Sequence, residues 1–440
     1  MMSKMTQSLA NEATSYDGAV ANYVFFQNPS STAYNEDGSY TQGPGYVGVN
    51  PLYEYLHSTD RNIVRRMLNS AKLTYHIAKG LDLSEKVTYD YIGGRETVIW
   101  DRNSNNGKSS SGVVQRILNI SEQVNTQTQL SYIRSFGLHN LDALLGFETE
   151  DMHYEYNFLS GSQYPGELYE VANAGETTSE SKVYDSRLTS FLGRVNYNYD
   201  NKYYAGLSFR RDGTSRLARN NRWGDFWSAS ASWRFSAEKF MESTKDILTD
   251  GRLRVSYGTN GTQPSGYYPY MNLFKYGEKY NGQSGMGIVN IGNPDLKWEK
   301  NRTFNVGFDL TFLQRFTASF DWYTRKTTDL IYDLTMSAVP GYFDTTSKVA
   351  TMATNIGSLK NTGWELTLTS ENFNTKDFSW STTLNLSHNH NELVKLDGES
   401  DMVQDSDYGR VLFHKVGETY NSYYGYEYAG VDPKTGKEHY

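Results

Sequence analysis

Residues 304–312 read Phe304-Asn305-Val306-Gly307-Phe308-Asp309-Leu310-Thr311-Phe312, and this stretch decides the fold class. Phe304, Val306, Phe308, Leu310 and Phe312 share one parity, and Asn305, Gly307, Asp309 and Thr311 share the other. A strand turns successive side chains to opposite faces and so separates the two sets, whereas a helix mixes them. The same split recurs on both sides. Trp227, Ala229, Ala231, Trp233 and Phe235 alternate with Ser228, Ser230, Ser232 and Arg234. Phe316, Ala318, Phe320 and Trp322 alternate with Thr317, Ser319, Asp321 and Tyr323. Leu253, Val255 and Tyr257 oppose Arg252, Arg254 and Ser256, and Phe378, Trp380, Leu384 and Leu386 alternate with Ser379, Ser381, Thr383, Asn385 and Ser387. The period is two from Asn69 onward.

The composition frames this pattern. The 440 residues are 38% hydrophobic, 21% charged and 15% aromatic, with 36 Tyr, 20 Phe and 8 Trp. Mean hydropathy is −0.66, and no apolar run reaches the length of a membrane helix. The absence of cysteine excludes a disulfide scaffold and a Cys-ligated zinc or iron–sulfur site within these residues. A net charge of −8 argues against nucleic acid as a partner. A polar chain this rich in aromatic rings fits a membrane β-barrel, which alternates lipid-facing and lumen-facing residues and adds aromatic girdles. A soluble sandwich or propeller also alternates, but its core favours Val, Ile and Leu. Here the apolar faces carry Trp223, Trp227, Trp233, Trp322, Trp364 and Trp380.

Connections alternate in length. Short turns are expected at Gly80-Leu81-Asp82, 136–140, Asp200-Asn201, Leu313-Gln314 and 374–377. Long segments are expected at 101–112, 161–184, 212–222, 261–296, 333–359 and 394–410. Tight periplasmic turns and long extracellular loops produce this rhythm in outer-membrane barrels. The connector 237–250 is periplasmic by parity yet longer, and Glu238, Lys239, Phe240, Met241, Ile247 and Leu248 favour a short helical turn within it.

Several segments resemble the SusC/RagA-type TonB-dependent outer-membrane transporters of Bacteroidetes. They are Asn196-Tyr197-Asn198-Tyr199-Asp200-Asn201-Lys202-Tyr203-Tyr204 with Arg210-Arg211-Asp212-Gly213, then Asn221-Arg222-Trp223-Gly224, and Ser256-Tyr257-Gly258. Asn293-Pro294-Asp295-Leu296-Lys297-Trp298-Glu299 resembles the family's "NPxLKWE", and Asn361-Thr362-Gly363-Trp364-Glu365 follows in the family's order. Trp227 stands where the family usually has Pro. The resemblance implies that Arg211, Asp212, Gly213, Trp223, Gly224, Tyr257, Gly258, Asn293, Pro294, Trp298, Glu299, Gly363 and Trp364 serve barrel architecture. Gly213 is expected to take positive φ where the chain leaves the sheet. Trp298 and Trp364 are expected at strand starts, at headgroup level.

The expected fold is therefore all-β, an antiparallel transmembrane barrel segment of about 12 strands out of about 22 in such a barrel, open at both ends. Residues 1–68 are expected as an extracellular loop region, 69–391 as the strands, and 392–440 as an extracellular loop segment. MMSKMTQSLA has no signal-peptide core, and the family's plug and TonB box are expected outside this stretch. The resemblance implies a TonB-dependent importer of oligosaccharides or peptides in the outer membrane of a Gram-negative bacterium. Its implied partners are a SusD-like surface lipoprotein, the TonB–ExbB–ExbD complex acting through the plug, and outer-membrane lipid. A passive porin, a barrel enzyme and a soluble carbohydrate-binding β-protein are the alternatives.

No G-x-S-x-G elbow occurs, so no catalytic residue is assigned. His388 and His390 share a strand face without a third ligand in view, and a polar lumen or strand-end place is the plainer reading. Glu36-Asp37-Gly38 and the acidic trio Asp401, Asp405 and Asp407 lack the spacing of a calcium loop. Gly430–Gly436 followed by Lys437 has the wrong spacing for a phosphate loop, and Glu438 stands where its Ser or Thr would be. No cofactor is expected. Tyr267, Tyr268, Tyr270, Tyr276 and Tyr280, set among Gly, Asn and Gln, are the candidate ligand contacts, because aromatic faces stack on sugar rings or peptide side chains.

Overall fold

The computed structural model describes residues 2–8, 28–41, 50–280, 283–336, 350–396, 400–405 and 410–439. Strands dominate. The first six are β1 (Met2–Ser8), β2 (Ser58–Ala78), β3 (Leu81–Trp100), β4 (Val113–Phe136), β5 (His139–Ser162) and β6 (Glu176–Tyr199). β7 (Tyr203–Thr214), β8 (Trp223–Trp233), β9 (Leu248–Thr262), β10 (Leu273–Tyr280) and β11 (Gln283–Asn290) follow. Then come β12 (Glu299–Phe312), β13 (Phe316–Met336), β14 (Ala350–Asn374) and β15 (Ser379–Lys395). The short strands β16 (Ser400–Asp405), β17 (Arg410–Lys415), β18 (Ser422–Tyr424), β19 (Gly430–Val431) and β20 (Glu438–His439) end the chain. Among the described residues one α-helix, α1 (Pro51–Leu56), precedes β2. No helix among the described residues is long and apolar enough to cross a membrane, which says nothing about strands.

One sheet holds 13 strands in the order β1 to β9, then β12 to β15. Its edges are β1 and β15. β10 and β11 form a separate hairpin, β16 to β18 a small sheet, and β19 and β20 a second hairpin. The strands expected between Asn69 and Asn391 are β2–β9 and β12–β15.

The chain clusters into two compact units. One comprises residues 1–72, 86–126 and 150–186, and the other 73–85, 127–149 and 187–440. In the second unit the register carries the two-faced pattern across eight strands. Tyr199, Tyr203, Trp233, Leu253, Phe308, Phe320, Leu366 and Leu386 stand opposite one another in one row. The adjacent row is Asn198, Tyr204, Ser232, Arg254, Gly307, Asp321, Glu365 and Ser387. The first row is wholly apolar or aromatic and the second has no aliphatic member. A slip of one residue in any strand would exchange the two sets, so the pattern pins the register. Ring contacts tie neighbouring strands together: Phe308 stacks on Phe320 at 5.1 Å, and Phe320 on Trp364 at 6.5 Å.

The turns follow from local chemistry. Asp200 and Asn201 have φ of 51° and 53°, the left-handed pair that suits a two-residue hairpin and that Asp and Asn tolerate. The connector after β8 holds two 3-10 turns, Phe235–Ala237 and Lys239–Thr244, in the segment where a helical turn was expected.

Four expectations change. Residues 1–68 are not all loop: β1 pairs with β2 from Met2↔Met67 to Ser8↔Arg61, and β2 starts at Ser58, before Asn69. Arg61, Arg65 and Arg66 interrupt the apolar alternation there, so the period of two becomes visible only further along the chain. Gly213 lies inside β7 without positive φ. It is small because a Cβ there would stand 2.7 Å from the Trp223 ring. Trp364 sits within β14, opposite Trp322 and His388, not at a strand start. His388 and His390 consequently share the parity of Leu384 and Leu386, the apolar face, not the polar one. Parts of the expected loops, including Asp407, lie outside the described residues.

Candidate functional site

The long-loop end of the second unit is built on β7, β8, β9, β12, β13 and β14. The chain leaves β7 at Thr214, whose hydroxyl donates to Gln263 Oε1 at 2.6 Å. Arg216 then reaches across to segment 263–298. Its Nη1 donates to the carbonyls of Pro264 and Ser265 at 3.1 and 2.8 Å, and its guanidinium lies 4.8 Å from the Tyr267 ring centre. A cation over a ring is worth about 0.5–2 kcal/mol, more as water is removed. Tyr267 and Tyr268 have ring centres 6.3 Å apart, and Tyr267, Tyr268 and Tyr270 are half-buried. Tyr276 and Tyr280 fall on β10, opposite Met286 and Gln283 in the register.

The same segment contributes Leu296 and Trp298 to a buried cluster with Leu217 and Phe226. Leu217 and Leu296 are fully buried, and Trp298 is 6% exposed. The Trp298 ring meets Phe226 edge-on at 5.6 Å and 70°, and its Nε1 donates to the Arg222 carbonyl at 2.9 Å. Trp298 is therefore an interior residue, not a headgroup-level one. Its indole N–H is satisfied by a loop carbonyl, as a buried indole requires.

The stretch from Asn293 to Glu299 ties the β7–β8 connection to β13 and β14. Asn293 Oδ1 accepts from the Asp295 amide at 3.1 Å, an Asx turn, while its Nδ2 donates to Ala353 O at 2.9 Å. The carbonyl of Pro294 accepts from Asn221 Nδ2 at 3.3 Å. Lys297 N donates to Asn355 Oδ1 at 2.9 Å, and Lys297 Nζ meets Asp329 at 2.9 Å. Glu299 Oε1 accepts from the Ile331 amide at 2.8 Å. Gly261 admits the Phe226 ring: a Cβ there would stand 2.2 Å from Phe226 Cζ and 3.0 Å from Trp298. Phe226 has buried neighbours and cannot yield, so Gly261→Ala is expected to cost about 1–3 kcal/mol by overpacking. Denaturant unfolding of the folded barrel checks this.

Charged pairs flank the loop base. Arg210 donates to Glu148 Oε2 at 2.9 Å, to Asp212 Oδ1 at 2.7 Å and to Ser190 Oγ at 2.8 Å. Arg211, on the other face, meets Asp225 at 3.6 Å and lies 5.4 Å from the Trp223 ring centre. Lower on the polar face, a cavity of about 610 Å³ is lined by Asp142, Asn196, Tyr204, Arg254, Ser256 and Asn305 among others. Tyr257, Gly258 and Gly363 are strand residues with no part in this rim, and Gly224 lies under the Phe226 ring.

The first unit holds its own loop assembly, which sequence reading missed. Asn50 caps α1 by accepting from Leu52 and Tyr53 amides at 3.0 and 3.4 Å. Fully buried Glu54 accepts from the Asn105 amide at 2.6 Å and Asn106 Nδ2 at 3.0 Å, and His57 Nδ1 meets Asp101 at 2.6 Å. The signal was present as Asn50-Pro51, a cap with Pro in the first helical position. Burial pushes the Tyr164 phenol, in the loop after β5, above its ordinary range. Among the described residues, no group of three or more His, Asp or Glu side chains converges as a metal site would require.

The family described as TonB dependent receptor-like, beta-barrel matches residues 6–437. The chain belongs to this family. It is 32% identical over 433 residues to TonB-dependent receptor P3 of Formosa agariphila, covering 94% of this chain and 42% of that protein. It is 31% identical over 428 residues to TonB-dependent receptor SusC of Bacteroides thetaiotaomicron, covering 92% and 41%. The structure of the RagAB peptide transporter superposes with a TM-score of 0.81 at 26% identity, over 92% of this chain and 45% of that one. The chain thus spans about two fifths of the length of the curated relatives it matches. These relatives are receptors and transporters rather than enzymes. As part of a TonB-dependent receptor barrel, the sheet lies in the outer membrane, its apolar rows toward lipid and its polar rows toward the lumen.

Proposed function

We propose that this chain forms the barrel wall and the substrate-facing extracellular rim of a TonB-dependent importer of oligosaccharides or peptides. The fold shared with the RagAB peptide transporter carries this reading, and the similarity to SusC supports it. Strands β2–β9 and β12–β15 supply the wall. The loop regions within 1–68 and 392–440 stand outside with segment 263–298. Substrate binds between these loops and a SusD-like surface lipoprotein, and the TonB–ExbB–ExbD complex acts through a plug. Arg216 presets Tyr267, and Tyr267, Tyr268, Tyr270, Tyr276 and Tyr280 offer ring faces to the substrate. The chain performs no catalysis and takes no cofactor or nucleic acid.

Deleting the gene in its host and following uptake of labelled oligosaccharide and oligopeptide pools tests this. One pool should stop entering, and uptake in the parent should collapse when the proton-motive force is dissipated. Tyr268→Ala with Tyr270→Ala should raise the half-saturating concentration severalfold at unchanged protein level. Unchanged entry of both pools, or entry that survives dissipation, would contradict the proposal.

A further inference from the structure

We infer that the connector between β8 and β9, with the adjoining β12–β13 turn, is seated in the headgroup layer of the periplasmic leaflet as a membrane-interface anchor. The inference rests on the outer-membrane placement and on short turns being periplasmic. Phe240 and Ile247 are 65% and 64% exposed in a segment that sequence parity alone would leave in water. Their surface is continuous with the lipid-facing wall. Trp233, the last residue of β8, shares the row of Tyr203, Leu253 and Phe308, and its ring centre lies 6.3 Å from that of Phe240 and 6.0 Å from that of Phe235.

The connector is held in this pose from both faces. On the lipid side Glu238 accepts from the Trp233 indole at 3.2 Å and from the Tyr203 hydroxyl. On the lumen side Asp250 accepts from Arg234 Nε and Ser236 Oγ, both at 2.7 Å. Exposure of Phe240 is therefore a property of a fixed segment, not of a free loop.

The neighbouring turn supplies an independent observation. Leu313 and Gln314 have φ of 50° and 59°, the backbone that Asp200 and Asn201 adopt in the β6–β7 turn. Asn, Asp and Gly suit such a turn, and a leucine there carries backbone strain. Leu313 is also 52% exposed, and its amide donates to the Ile247 carbonyl at 2.8 Å, joining turn and connector. In water both strain and apolar exposure would be unfavourable. In the leaflet, burial of the leucine, isoleucine and phenylalanine offsets them, while indole and phenol rings sit at the headgroups. The occupant of this surface is phospholipid.

No cysteine within these 440 residues competes for a label. Single spin labels are placed at Phe240→Cys, Ile247→Cys and Leu313→Cys in the full-length receptor, reconstituted in phosphatidylethanolamine–phosphatidylglycerol vesicles. Glu242→Cys, on the same connector, is the aqueous reference, and Leu207→Cys on β7 is the lipid reference. Collision with oxygen relative to a nickel chelate should be at least about threefold higher at the three sites than at 242, approaching the value at 207. Ratios equal to that at 242 would overturn the proposal. So would poor access to both reagents, which marks a protein partner. A label at 207 that itself reads water would overturn the membrane placement as well.

Discussion

Trp298→Ala is expected to cost about 3–5 kcal/mol, the range for truncating a buried Trp or Phe. Two losses add. The cluster with Leu217, Phe226 and Leu296 loses its largest ring, and the Arg222 carbonyl loses its indole donor. The cavity lies where segment 263–298 is fastened to the wall, so this segment should become the first site of proteolysis. Trp223→Ala is the comparison, since that ring faces lipid on Gly213 and lacks such a cluster. Denaturant unfolding of the two variants in detergent, with limited proteolysis, reads the difference. Equal small losses would mean that Trp298 does not fasten the rim.

Arg254→Met, on the lumen face, is expected to cost about 2 kcal/mol. Arg254 Nε and Nη2 donate to both oxygens of Asp309 at 2.9 and 3.1 Å, and Nη1 and Nη2 to those of Asp321 at 3.0 and 2.9 Å. Gly307, paired with both Arg254 and Asp321, leaves the gap through which the guanidinium passes. Without the arginine, the carboxylates of Asp309 on β12 and Asp321 on β13 face each other with no cation between them. The side chains are 32%, 43% and 26% exposed, so water screens the repulsion and holds the cost below that of a fully buried network. Adding Asp309→Asn and Asp321→Asn to Arg254→Met should recover about half of the loss, because the carboxylates no longer repel. A mutant cycle by denaturant unfolding measures this, and no recovery would show that the cost comes from packing.

The wall was readable because its signal is strictly periodic. Phe308 and Gly307 point to opposite sides whatever their neighbours do, and the register then follows from matching like faces. The tight turn at Asp200-Asn201 was equally legible, since its residues declare their backbone. What escaped depends on contacts distant in the chain. Gly213 reads as a turn glycine until Trp223, on the next strand, is seen to cover it. Trp298 reads as an interfacial ring until Phe226 and the Arg222 carbonyl are placed around it. Trp364 reads as a strand start because residues 350–363 mix polarity on both faces, and their strand is set by pairing with β13. α1 was hidden by its length of 6 residues, too short for an apolar period, although its cap was written in Asn50-Pro51.

Single cysteines along β12 test the two-faced wall most directly. With the receptor in intact outer membranes, Asn305→Cys and Thr311→Cys should react with a charged, membrane-impermeant methanethiosulfonate at least about tenfold faster than Val306→Cys, Phe308→Cys and Leu310→Cys. The strand would then be lipid-facing on one parity and wet on the other, as a receptor barrel requires. Equal rates at both parities, or a reactive set spaced every three to four residues, would contradict the account.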